Sequence, residues 1–333
     1  MMNTIDLSLI SKCRTELMGL STIAILFCHA SGNHVMMPVF LAQIFSLGGY
    51  GVDVFLFLSG LGLWYSLSNH FCKGEDLWIW YKKRYKRLLV TYSLIAGVYY
   101  ALFCIIKGLG VVDFLINVST IGFWTTHEGQ WFVDAIIPIY ALSPFLYKLL
   151  NVTKNNIWIP ILLTILCLVF SILPNDAPDS KLSILGNIQF VVCRVPSFIF
   201  GMWIAPFVKG GVTVKNALLY VFISTLFFIL VVTTPIELSA GCFATIPIVY
   251  VFIFILKKIN GSLKNAVFFM GNISLESYMF NVTLPFFIRR IPWNDFAFDI
   301  NYGYYMHYLI VIVLGLFFSV AINRFVKTII RTK

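Results

Sequence analysis

The chain has 333 residues, of which 59% are hydrophobic and only 11% are charged, and its mean hydropathy is +0.88. A soluble domain typically carries about 25% charged residues to keep its surface hydrated. This composition therefore excludes a soluble globular protein and predicts a surface that mostly faces lipid. The net charge of +10 does not indicate nucleic-acid binding, because the lysines and arginines occupy short segments between apolar stretches.

Apolar segments of about 20 residues, long enough to cross a bilayer as helices, follow one another along the chain. We predict transmembrane helices over 16–35, 51–68, 88–106, 132–150, 157–174, 184–207, 216–234, 238–256, 266–286 and 304–323. Unbroken apolar runs such as 217–232 and 308–321 exclude the alternating pattern of an outer-membrane barrel. The sequence thus predicts an all-α integral membrane protein, a bundle of about ten helices that forms a single transmembrane domain over 1–333.

The basic residues predict the orientation of this bundle. With the N-terminus in the cytoplasm, 19 of the 24 lysines and arginines fall in cytoplasmic segments and four in outer segments. This bias is typical of the positive-inside rule, and it predicts that both termini are cytoplasmic. We expect no cleavable signal peptide. Because the seven cysteines form no CxxC pair, we also expect no disulfide framework.

Ionisable side chains are costly inside a bilayer, so each one predicted there is a functional candidate. His29 lies in the outer half of the first span, where an imidazole could act as a general base or simply bond another helix. Asp53 opens the second span at a similar depth. Its carboxylate could orient His29, as in other acyl-transfer sites, or only favour the N-terminus of its helix.

Other polar positions within the spans have weaker functional interpretations. Arg194 keeps its charge and needs a partner or a cavity, and Asp134 and Glu276 are the candidate partners for an ion pair. Ser59 is a possible nucleophile, although the adjacent small residue Gly60 favours close helix packing. The basic segment 82–87 (KKRYKR) either anchors the chain at anionic headgroups or binds the phosphates of a cytosolic cofactor.

Six motifs occur along the chain in a fixed order. They are 14–30 (RTELMGLSTIAILFCHA), 48–63 (GGYGVDVFLFLSGLGL), the pair Arg84 and Arg87, 130–144 (QWFVDAIIPIYALSP), 194–201 (RVPSFIFG) and 271–281 (GNISLESYMFN). Together they resemble the membrane-bound acyltransferase-3 family, the bacterial O-acyltransferases that modify cell-surface sugars. The match of 48–63 is the most specific. Two positions depart from the family pattern: Met18 stands where a basic residue is usual, with Arg14 one turn earlier, and Asn281 stands where histidine is common.

The resemblance implies a bacterial inner-membrane enzyme that moves an acetyl group from cytosolic acetyl-CoA to a hydroxyl of a sugar or polysaccharide. His29 and Asp53 would be catalytic, as base and orienting group. The donor phosphates would lie near Arg14, Lys83, Arg84 and Arg87. The substrate path would involve Ser59, Glu128, Trp131, Arg194 and Asn281. No metal is implied, a homo-oligomer is left open, and direct transfer and an acyl-enzyme route are both retained.

Two other classes of function stay open on the sequence. Charges within a membrane also mark transport pathways, so the first is a transporter or flippase for a glycan or a lipid-linked sugar. Inverted repeats would favour transport, and the sequence shows none. The second is a structural membrane subunit, which would leave His29 and Asp53 without a reason to be buried.

Overall fold

A computed structural model describes residues 3–33, 35, 37–127, 129–153, 156–174, 183–234, 239–290 and 300–331. The first half contains β1 (Thr4–Asp6), α1 (Ser8–Lys12), α2 (Arg14–Gly32), α3 (Val39–Ser46), a 3-10 helix (Leu47–Tyr50), α4 (Gly51–Cys72), α5 (Leu77–Lys107), α6 (Val111–Val118), α7 (Ile121–Thr126) and α8 (Trp131–Val152). The second half contains α9 (Trp158–Ser171), α10 (Ile184–Val192), α11 (Val195–Lys209), β2 (Thr213–Lys215), α12 (Ala217–Val232), α13 (Ala240–Lys258), α14 (Gly261–Asn272), α15 (Ser274–Ile288) and α16 (Ile300–Arg331).

The all-α architecture predicted from the apolar segments is confirmed, since each of the ten segments contains helix. Six helical stretches of the described chain are long and apolar enough to cross a membrane: Val39–Cys72, Leu77–Lys107, Trp131–Val152, Ile184–Lys209, Ala240–Lys258 and Tyr305–Ile330. Two shorter apolar helices, α9 and α12, occupy two more of the predicted segments. Ten crossings and the cytoplasmic orientation of both termini therefore stay predictions.

Two of the predicted spans are interrupted. The segment 184–207 divides into α10 and α11 at Cys193 and Arg194. Pro196 lies in the first turn of α11, where its missing N–H is tolerated because first-turn amides have no partner within the helix. The segment 266–286 divides into α14 and α15 at Ile273. Both breaks lie beside polar residues of the predicted spans. They therefore determine where these polar side chains lie inside the bundle.

Helix α5 is longer than predicted. It begins at Leu77, eleven residues before the predicted span, so the basic segment 82–87 is helical rather than a loop. The side chain of Asp76 accepts a hydrogen bond from the backbone N–H of Trp78 and caps the helix. Tyr81 and Tyr85 donate hydrogen bonds to the carbonyls of Ala141 and Ile137, each at 2.7 Å, and these bonds fix the start of α5 against α8.

Helix α4 lies at the centre of the bundle, and most of its residues are buried. It crosses α11 at two reciprocal glycines. A methyl group on Gly60 would collide with the carbonyl of Phe198, and one on Gly201 would collide with the carbonyl of Phe57. Glycine at such positions lets two helix backbones approach closely, which is the usual basis of helix packing in membranes.

Helices α2 and α14 pack in the same way. A methyl group on Gly19 would collide with the carbonyl of Val267, and one on Gly271 would collide with the carbonyl of Thr15.

The N-terminal strand β1 pairs antiparallel with β2, and Ile5 lies opposite Val214. Ser8 donates hydrogen bonds from its N–H and its hydroxyl to Asp6, which lower the pKa of that carboxyl and start α1.

Candidate active site

A cavity of about 440 Å³ lies between α2, α4, α5, α8 and the α14–α15 break. One end is lined by Arg14 at the start of α2 and by Arg84 and Arg87 near the start of α5. The other end is lined by residues such as Ile25 and Val52. Eleven residues separate Arg14 from Ile25 on one helix, which corresponds to about 16 Å at 1.5 Å per residue. The cavity therefore runs along the bundle from a basic end to an apolar end.

The basic end concentrates positive charge. The guanidinium groups of Arg84 and Arg87 lie close enough to that of Arg14 to repel it. No carboxylate of the described residues lies within 4.0 Å of any of these three groups. Lys83 also lines the cavity; its side chain is 72% exposed and lies 3.9 Å from a carboxylate oxygen of Glu75. Because like charges repel unless an anion lies between them, this end is suited to bind a multiply charged anion.

Arg14 is held by the central helix. Its Nε donates a hydrogen bond to the carbonyl of Leu58 at 3.1 Å. Its guanidinium occupies the space beside Gly62, where a methyl group would come within 2.5 Å of Nη2. Met18, one turn along α2, lines the same cavity. Arg14 thus places a charge in the cavity next to the position where the resemblance leads us to expect a basic residue.

His29 lies beyond the apolar end of the cavity, in the last turn of α2. Its side chain is half-buried, and Nδ1 is hydrogen-bonded to Oδ1 of Asn281 on α15. Ile25 precedes His29 by four residues, and Tyr278 precedes Asn281 by three; both of these line the cavity. The His29 and Asn281 pair therefore lies about one helical turn past the apolar end of the cavity.

Asp53 does not bond to His29, although the sequence suggested this pairing. The Asp53 side chain is 2% exposed and accepts a hydrogen bond from Ser197 Oγ of α11 at 3.0 Å. Its carboxylate fills the space beside Gly241 of α13. Gly51 faces Ser21 of α2, and two further residues turn the helix by about 200°. Asp53 consequently faces away from α2, and its catalytic role stays a prediction.

The sequence model of a family described as an acyltransferase domain matches residues 17–324, nearly the whole chain. The chain belongs to the acyltransferase-3 family. No curated protein and no solved structure matches it. The protein is therefore an acyltransferase, and its apolar helices together with its family indicate a multi-pass membrane enzyme.

In this acyltransferase, Arg194 forms an ion pair with neither Asp134 nor Glu276, the two candidate partners that the sequence offered. Its guanidinium lies over the rings of Phe190 and Trp131, with 4.3 Å and 5.1 Å between the guanidinium carbon and the ring centroids. Its Nη1 donates to the Phe190 carbonyl at 2.9 Å. The helix break places Arg194 beside aromatic faces, and these attract a cation without neutralising it.

The other two buried carboxylates have separate surroundings. Glu276 accepts a hydrogen bond from Asn323 Nδ2 at 3.0 Å. Asp134 lies one turn after Gln130, whose side chain is 1% exposed; among the described residues, the Gln130 amide atoms and Asp134 Oδ1 have no hydrogen-bond partner. Unpaired buried polar atoms are costly, and in native proteins they often face water or a ligand.

The remaining predicted site residues divide into three groups. Ser59 lines the cavity midway along α4. Trp131 packs against Phe190 and Arg194 rather than the cavity, with 5.0 Å between its ring centroid and that of Phe190. Glu128 lies outside the described residues. The structure thus brings Arg14, Lys83, Arg84, Arg87 and Ser59 to one cavity, and it places Asp53, Arg194 and Trp131 elsewhere.

Sequence reasoning missed Ser197, Gly241 and Tyr308, which contact the predicted polar residues. Serine, glycine and tyrosine are common in apolar helices, so none of the three is distinctive there in the way that an ionisable residue is. Tyr308 had one available signal, since it follows two other tyrosines and a histidine at the start of the last span. That pattern is also typical of an aromatic belt at the membrane interface.

Proposed function

We propose that this acyltransferase transfers an acetyl group from cytosolic acetyl-CoA to a hydroxyl of a cell-surface or exported sugar, with His29 as the general base. The observation that carries the proposal is the cavity, which leads from three arginines that have no carboxylate of the described residues within 4.0 Å to within one turn of His29. Family membership favours transfer chemistry over the alternative of a glycan transporter.

The charges at the basic end support a nucleotide-linked donor. Arginine binds phosphate through two parallel hydrogen bonds, and Arg14, Arg84 and Arg87 offer three such groups in one place. Lys83 adds a fourth cation at the exposed rim. The phosphates of acetyl-CoA would bind here, and the pantetheine arm would extend along the cavity past Ser59 toward Ile25.

The chemistry requires one base. An imidazole nitrogen of His29 accepts the proton of the sugar hydroxyl while the hydroxyl oxygen attacks the thioester carbonyl carbon. The carbon–sulfur bond then breaks, the acetyl ester forms, and the leaving CoA thiolate takes the proton from the imidazolium. This direct route uses one site between a donor from the cytoplasm and an acceptor from the outer face.

The test is His29→Gln, which keeps a polar side chain of similar length but removes the base. We expect transfer of radiolabelled acetyl from acetyl-CoA to surface glycan in membrane vesicles to fall by at least about 100-fold. The protein level in the membrane should not change. His307→Gln, a histidine substitution on α16, is the matched control and should keep activity. Wild-type acetylation by His29→Gln would refute the proposal.

A further inference from the structure

Three hydrogen bonds connect His29 back to its own helix. His29 Nδ1 is bonded to Asn281 Oδ1, Asn281 Nδ2 is bonded to the Tyr308 hydroxyl at 3.2 Å, and the Tyr308 hydroxyl is bonded to the carbonyl of Leu26. The chain of bonds leaves α2 at His29, passes through α15 and α16, and returns to α2 one turn earlier. Asn281 and Tyr308 are both buried, so water does not compete for these groups.

The direction of every bond in this chain follows from its last member. A carbonyl oxygen only accepts hydrogen bonds, so the single hydroxyl proton of Tyr308 points to Leu26. The Tyr308 oxygen can then only accept, and it accepts from the amide NH₂ of Asn281. The amide oxygen of Asn281 therefore faces His29, where it also only accepts. His29 Nδ1 must supply the proton.

We infer that Asn281 and Tyr308 are positioning residues that hold His29 as the Nδ1–H tautomer and leave the lone pair on Nε2. The inference rests on the proposed function, in which Nε2 takes the proton of the acceptor hydroxyl. An uncharged amide and a phenol here perform the orienting role that a carboxylate performs in a Ser-His-Asp site. Asp53, which bonds to Ser197, has no part in it.

Tyr308 is needed because an amide can bind in two orientations. If the Asn281 side chain turned over, its oxygen would face the Tyr308 oxygen, whose only proton is already used. Its NH₂ would face His29 Nδ1 and favour the tautomer with the proton on Nε2. In that tautomer Nε2 has no free lone pair and cannot act as the base. The hydroxyl of Tyr308 makes the productive orientation of the amide the only satisfied one.

The first test removes that hydroxyl. Tyr308→Phe should lower kcat for acetyl transfer by at least about tenfold, because an orienting group that selects the wrong tautomer is strongly inhibitory. The KM for acetyl-CoA should be unchanged. Tyr305→Phe makes the same chemical change at an exposed position of the same helix and should keep the wild-type rate. A wild-type kcat for Tyr308→Phe would overturn the inference.

A second test changes the acceptor itself. Asn281→Asp keeps an oxygen acceptor for His29 Nδ1, whereas Asn281→Leu has a similar shape without one. The Asp variant should keep activity within about tenfold, and the acid limb of its rate–pH profile should move to higher pH, since a carboxylate stabilises the protonated imidazole. The Leu variant should lose most activity at every pH. Equal rates and profiles for the two variants would contradict the inference.

The decisive measurement needs no substrate. Nitrogen-15 NMR of histidine-labelled protein in lipid distinguishes the two tautomers, and His29→Gln identifies the signal of His29 among the five histidines. We expect a neutral ring protonated at Nδ1 in the wild type and a shift toward the other tautomer in Tyr308→Phe. A wild-type ring protonated at Nε2 would overturn the inference even if His29 proved to be the base. The absence of acetyl transfer by the wild-type protein would by itself overturn only the proposed function.

Discussion

At the scale of single residues, the arginines of the cavity carry the sharpest prediction of the proposed function. Replacing both Arg84 and Arg87 by alanine should raise the KM for acetyl-CoA by about tenfold or more per arginine, because a hydrogen bond to a charged group contributes about 1.5–3 kcal/mol. The rate with acetyl-pantetheine, which has the thioester but no nucleotide phosphates, should not change. Initial rates with the two donors provide the measurement.

The control for this prediction comes from the same helix. Lys82 and Lys86 carry two positive charges on α5 but do not line the cavity. The double variant Lys82→Ala and Lys86→Ala should therefore bind acetyl-CoA as the wild type does. If both double variants weakened the binding of acetyl-CoA equally, general surface charge rather than a phosphate site would explain the effect.

Some of these residues could be predicted from the sequence and some could not. The resemblance assigned Arg14, Lys83, Arg84 and Arg87 to the donor phosphates, and the structure brings all four to one cavity. The sequence did not predict that the segment 82–87 is the start of α5. The direction in which the Asp53 side chain points could not be predicted, because it depends on the orientation of α4 about its own axis relative to its neighbours. Gly51 faces α2, so Asp53 must face α11 and α13. A sequence shows depth in the membrane but not this rotation.

At the scale of helices, close contacts between backbones hold the site together. Gly60 and Gly201 let α4 and α11 cross closely. On α4, Ser59 lines the cavity and Asp53 is hydrogen-bonded to Ser197 of α11. The sequence predicted close packing at Gly60 but not its partner, since the contact joins residues about 140 positions apart. The breaks before α11 and α15 were also missed, because both lie within continuous apolar segments.

Gly60→Ala tests the contact between α4 and α11. The added methyl group would collide with the Phe198 carbonyl, a backbone atom that cannot move aside by rotating a side chain. Overpacking of this kind costs about 1–3 kcal/mol. Unfolding in mixed micelles, followed by circular dichroism, should therefore show a lower midpoint of denaturation for the variant.

The matched control is Gly97→Ala on α5, where a methyl group would meet no other atom within 4 Å. Alanine is the better helix former, so this variant should be as stable as the wild type or slightly more stable. Equal loss of stability in the two variants would mean that the added methyl group itself, rather than the contact with Phe198, governs the result.

At the scale of the whole molecule, the pairing of β1 with β2 restricts the topology. Residues 4–6 and 213–215 form one sheet, so both segments must lie on the same side of the membrane. The chain between them must then cross the bilayer an even number of times. Six of the predicted spans lie between these strands, which satisfies the condition, whereas the loss of any single span would violate it. The strand pairing and the distribution of charge thus agree on an even number of crossings between residues 6 and 213.

Reporter fusions test the full arrangement of ten spans. Green fluorescent protein fluoresces only when it remains in the cytoplasm, and alkaline phosphatase is active only outside it. Fusions after Gly74, Gly211 and Ile259 should fluoresce and lack phosphatase activity, because these positions follow an even number of predicted crossings. Fusions after Gly108, Thr234 and Arg290 should show the reverse pattern. Phosphatase activity after Gly211 would contradict the charge distribution, and together with a cytoplasmic N-terminus it would also contradict the strand pairing. A change of pattern that begins only after Thr234 would instead show that α12 does not cross, since α12 is one of the two apolar helices shorter than 18 residues.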